Sequence, residues 1–98
     1  MIHLKFKNWF EIFLKNKLEE NGYELKYISG KDSNFGELFG VQIESEKKGG
    51  HLYFWNSGFY NYHLYDFIHD LDLVKDTHGN YKGEDLEVLL EDFLPHLI

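Results

Sequence analysis

The chain is 98 residues long, contains no cysteine and no arginine, and carries a formal net charge of −7. That composition excludes a disulfide scaffold and points to one domain of a reducing compartment. It also speaks against nucleic acid and anionic membrane as partners, since both are bound through clustered cations, with arginine the usual reader of phosphate and guanine.

In chain order, Ile2, Phe6, Phe10, Phe13, Leu14 and Leu18 recur at spacings of three and four, with Trp9 beside them. Lys5, Lys7, Glu11, Lys15 and Glu19 fill the opposite side, so an amphipathic helix is predicted, closed by Asn21-Gly22. Tyr23, Leu25 and Tyr27 alternate with charged residues as a first strand, and Ser29 to Asn34 reads as a turn. Phe39, Val41 and Ile43 give a second strand, and Glu46 to Gly50 a turn. His51 to Trp55 is a third strand, Asn56-Ser57-Gly58 a tight connection, and Phe59 to Phe67 a fourth strand. Leu71 and Leu73, between aspartates, suggest a fifth strand ending near Thr77 to Asn80, although helix is also compatible with residues 67–82. Glu84-Asp85 then opens a helix whose apolar stripe is Leu86, Leu89, Leu90, Phe93, Leu94 and Leu97, with Pro95 distorting its last turn.

The fold class is therefore α+β: an antiparallel sheet of four or five strands with an N-terminal and a C-terminal helix packed on one face. The other face of such a sheet is left open or half-solvated. No apolar run approaches the ~18 residues that span a bilayer. Residues 1–7 carry no leader-like apolar segment, and cytoplasm is the expected location.

Charge is distributed unevenly. Residues 1–50 hold eight acidic and eight basic side chains, whereas residues 51–98 hold nine acidic ones against Lys75 and Lys82. An acidic half predicts a basic partner. The aromatic density peaks in the same half: Tyr53, Phe54, Trp55, Phe59, Tyr60, Tyr62, Tyr65 and Phe67 fall within fifteen residues. With Leu52 and Phe54 facing in, His51, Tyr53 and Trp55 face out. On the next strand Tyr60, Tyr62 and Leu64 form one row, and Asn61, His63 and Tyr65 the other. Two such rows cannot both be core, and tyrosine and tryptophan are the residues enriched at interface hot spots.

Catalytic readings find less support. Six histidines and the aspartates Asp66, Asp70, Asp72 and Asp76 invite a metal-dependent hydrolase, yet no HExxH, no Cys pair and no nucleophile elbow is present. No catalytic, cofactor-binding or metal-ligating residue is predicted, and no cofactor. The predicted partner-binding residues are Tyr53, Trp55, Asn61, His63 and Tyr65, with Asp70, Asp72 and Asp76 as steering charges on one strand parity beside buried Leu71 and Leu73. Trp55 fits equally an anchor of the hairpin to the core.

The segment Gly50-His51-Leu52-Tyr53-Phe54-Trp55-Asn56-Ser57-Gly58-Phe59-Tyr60-Asn61-Tyr62-His63-Leu64-Tyr65-Asp66 resembles the central hairpin of small bacterial immunity proteins of the TriTu type, which accompany polymorphic toxins. The flanks agree with that pattern, in the opening Phe6-Lys7-Asn8-Trp9-Phe10 and the closing Asp92-Phe93-Leu94. The resemblance implies a protein that neutralises one cognate toxin domain by tight binding. A basic toxin surface would suit the acidic half. A general interaction or adaptor domain without a toxin is the alternative, and a small metal-dependent hydrolase a more distant one.

Overall fold

The computed structural model describes every residue from Met1 to Ile98. Helix α1 spans Ile2–Phe13 and helix α2 Lys15–Glu20. Five strands follow, β1 Glu24–Asp32, β2 Gly36–Glu44, β3 Lys48–Trp55, β4 Phe59–Asp66 and β5 Leu71–Asn80, joined as an antiparallel meander in the order β1-β2-β3-β4-β5. The chain closes with one helical turn, α3 Leu86–Leu89, and a 3-10 turn at Leu94–His96. This is the expected α+β architecture with five strands. No helix is long and apolar enough to cross a membrane.

The alternation of the sequence decides which sheet face is covered. Val41, Ile43, Leu52, Phe54, Tyr62, Leu64 and Val74 point to one side and are buried there. Helix α1 lies over β2 and β3 on that side. Phe6 stacks on Phe54 with ring centroids 4.3 Å apart, and Phe10 meets Tyr27 edge-on at 6.4 Å. The C-terminal segment covers β4, where Phe93 packs edge-on against Tyr62 at 5.6 Å. Each fully buried Leu or Phe of this layer contributes about 1.5–3 kcal/mol over an exposed one.

Polar tips tie the C-terminal segment down. The indole N–H of Trp9 donates to Glu87 Oε1 at 2.8 Å, and the Tyr23 hydroxyl donates to the Leu97 carbonyl at 2.6 Å. The Tyr62 hydroxyl donates to Asp92 Oδ1 at 3.0 Å. Burial and that carboxylate together push the Tyr62 hydroxyl far above its ordinary pKa, so it remains a donor.

Beyond β1, which runs on to Asp32 through residues 29–32 of the predicted turn, three expectations are corrected. The single N-terminal helix breaks at Leu14, whose φ of −112° ends α1, before Gly22 at φ 85° closes α2 in the left-handed region that glycine tolerates. Phe13 leaves the apolar face and is exposed beside Trp9. The C-terminal helix is not continuous. The α-helical turn ends at Leu89, and Pro95, whose ring would meet the Glu91 carbonyl in a continued helix, accounts only for the last turn, which is 3-10. Leu86, Leu90, Phe93 and Leu97 are nevertheless all buried, because their spacing survives the change of backbone.

The third correction concerns β5. Tyr62 pairs with Thr77, Leu64 with Val74 and Tyr65 with Asp72, so β5 carries two extra residues against β4. These bulges reverse the side-chain parity and then restore it. Val74 is the buried residue, whereas Leu71 is exposed and Leu73 only partly covered. Asp70 is not in the strand at all. It occupies the β4–β5 turn at φ 54°.

Candidate functional site: the open face of the sheet

The face opposite the helices is built from the alternate residues of the same strands. β3 presents His51, Tyr53 and Trp55 there, and β4 presents Phe59, Asn61, His63 and Tyr65. Their rings form one continuous ladder. Phe35, in the β1–β2 turn, stacks on Phe59 at 4.3 Å, and Trp55 touches both, at 5.9 and 5.3 Å. Trp55 meets Tyr53 edge-on at 6.1 Å, and Tyr53 stacks on His51 at 4.4 Å. From there the ladder crosses to His63 at 6.0 Å, then to Tyr65 at 6.4 Å and Phe67 at 6.0 Å. Every ring of the ladder is partly exposed, Phe67 the most.

A polar network fixes these rings and leads to the acidic edge. The Gln42 amide donates to the Tyr53 hydroxyl at 2.8 Å. Asn61 donates through Nδ2 to Asp76 Oδ1 at 2.6 Å and to the Thr77 carbonyl at 3.0 Å. Its oxygen is thereby left to accept from His51 Nε2 at 2.5 Å, which assigns the proton to that nitrogen. His63 Nε2 lies 2.6 Å from Asp72 Oδ1, and the Tyr65 hydroxyl donates to Asp70. Burial holds the His51 pKa below the ordinary histidine value, with neighbouring His63 acting in the same direction against the bond to Asn61. The bond to Asp70 raises the Tyr65 pKa.

Beside the ladder runs a groove of about 480 Å³ floored by Gly49 and Gly50. Lys26, Gln42, Glu44, His51, His63 and Phe67 are among its walls. At its outer end Glu24 and Glu44 stand directly opposite each other across β1 and β2. At the far corner of the face Phe67 and Ile68 of the β4–β5 turn and Leu71 at the start of β5 are exposed. Asp66 organises that turn by accepting the backbone N–H groups of Ile68 and His69, at 2.8 and 3.0 Å, and the His69 ring at 2.8 Å.

The structure thus brings together Tyr53, Trp55, Asn61, His63, Tyr65, Asp72 and Asp76 on one face, with Asp70 at its corner. Trp55 is seated on the open face and not among the core rings. Sequence reasoning omitted Phe59, Gln42 and Phe67 from the site, although Phe59 shares the parity of Asn61, His63 and Tyr65. It had no signal for Phe35, which reaches the ladder from a turn. No Ser, Thr or Cys is hydrogen-bonded to His51 or His63, and no three His, Asp or Glu side chains are placed to share a metal ion. What the face offers is flat ring area, oriented amide and imidazole groups, and an acidic border. No family model matches the chain, and no curated protein or solved structure matches it either.

Proposed function

We propose that the chain is an immunity protein of a bacterial toxin system, a cytoplasmic binder that neutralises a cognate toxin domain by holding it against the open sheet face. One observation carries this reading: an uninterrupted ladder of part-exposed rings from Phe35 to Phe67, bordered by Asp70, Asp72 and Asp76. Rings of this kind supply large contact area at low entropy cost, since Tyr and Trp have few side-chain rotors. Aspartates at the border favour approach of a basic surface and discriminate against acidic ones. The likeness of the hairpin from Gly50 to Asp66 to TriTu-type immunity proteins points to the same role. Inhibition would follow from occupancy of the toxin and needs no chemistry from this chain.

The test is co-expression with the toxin domain encoded beside it, scored for survival and for a co-purified complex. Trp55→Ala combined with Tyr65→Ala is expected to lose both protection and complex while the fold, followed by circular dichroism, persists. A well-folded double variant that protects as fully as the native chain would refute the reading.

A further inference from the structure

The two edges of the sheet differ. β5 is blunted: two bulges interrupt its ladder, Lys75 and Asp76 are exposed on it, and the Lys75 carbonyl is taken by the Thr77 hydroxyl at 2.7 Å. Such devices block pairing with another chain. β1 also exposes charges, at Glu24, Lys26, Lys31 and Asp32, but it has no bulge and no carbonyl taken by a side chain. It runs nine residues in unbroken register with β2. Outside that ladder, no backbone group of residues 24–32 makes a hydrogen bond within the molecule. Its outward N–H and C=O groups therefore form an unbroken, unoccupied template.

We propose that β1 is the docking edge for a second copy of this chain, paired antiparallel about a two-fold axis through Ser29. A two-fold antiparallel pair sets opposite each other residues whose numbers sum to twice that of the central one, and both then lie on the same face. With Ser29 at the centre, Lys26 faces Asp32 of the second copy, and Asp32 faces its Lys26. Asp32 spends Oδ1 on the N–H groups of Asn34 and Phe35, and its second oxygen makes no hydrogen bond within the molecule. On the helix-covered side Lys31 of the second copy meets Tyr27, which is 44% exposed beside a depression also lined by Lys15 and Glu19. Ile28 meets Gly30.

That last pair accounts for an otherwise unneeded glycine. Gly30 has no left-handed φ, and a Cβ built on it would touch nothing within 4 Å. Neither its conformation nor its own fold calls for glycine, whereas the close approach of a neighbouring strand does. Other registers fit worse. An axis through Ile28 sets Glu24 against Asp32, and one through Tyr27 overhangs by two residues, as the Ser29 axis does, but sets no opposite charges against each other. The axis stands perpendicular to the sheet, so both open faces point the same way and the dimer presents two binding faces side by side. This inference does not rest on the partner proposed above.

Because the chain has no cysteine, Ser29→Cys is a clean probe. Paired residues across an antiparallel two-fold have Cα atoms within disulfide range. Sedimentation equilibrium of the native chain is expected to give the dimer mass, and mild oxidation to cross-link Ser29→Cys but not Thr77→Cys on β5. Lys26→Glu places like charges opposite each other twice per dimer and is expected to weaken association by about tenfold or more, with thermal melting of the variant confirming its fold. A monomer mass up to hundreds of micromolar would overturn the proposal. So would cross-linking as fast through position 77 as through 29, or a folded Lys26→Glu variant that dimerises like the native chain.

Discussion

Tyr53 lies across Gly40, its in-register neighbour on β2, so closely that a Cβ on the glycine would stand 2.3 Å from Tyr53 Cδ1. The ring seals backbone that glycine leaves bare, and its hydroxyl is held by Gln42. Ring placement on the open face is thus coupled to the sheet beneath it.

Gly40→Ala is accordingly predicted to displace the Tyr53 ring and strain the strand, since the Leu52 carbonyl stands 3.3 Å from the same position. The expected cost is about 1–3 kcal/mol, the range for forcing extra volume into a packed site. Chemical denaturation of the variant checks it, and a midpoint equal to that of the native chain would show that the ring moves freely.

His51 makes stability depend on pH in a definite direction. Its pKa in the fold is depressed by burial, so the folded protein keeps the ring neutral where the unfolded chain, near about 6.5, takes up a proton. The contribution is complete above that value and is lost as pH falls from there towards the depressed folded pKa. Melting temperatures between about pH 7.5 and about pH 5 should therefore fall more steeply for the native chain than for His51→Gln. Equal slopes would remove His51 as a source of the dependence.

Asp70 and Asp72 border the ladder while bonded to Tyr65 and His63. If they steer a basic toxin surface, reversing both to Lys should slow association by about tenfold or more at low salt. The deficit should shrink as salt shortens the screening length to about 8 Å at physiological strength. Stopped-flow association at two ionic strengths measures this, and a rate that does not change removes the steering role.

Much of the fold was legible because apolar periodicity records burial directly. Leu52 and Phe54 against His51, Tyr53 and Trp55, and Tyr62 and Leu64 against Asn61, His63 and Tyr65, divided between the two faces as their alternation required. The failures share a cause as well. At β5 the parity of Asp72, Val74 and Asp76 is uniform in sequence, yet Val74 is buried and the aspartates are not. Bulges arise from pairing with β4 and leave no mark in β5 alone. The break at Leu14 likewise has no Gly or Pro to announce it.

The sequence by itself determined the class of fold, the inward and outward rows of the central hairpin and the acidic character of the second half, since each depends on side-chain order along one strand or on composition. Only the tertiary structure decided that Phe35 joins the open face from a turn, and that β1 and β5 differ as edges. Those facts depend on which strands lie side by side and in what register, and register is set by contacts between segments distant in the chain.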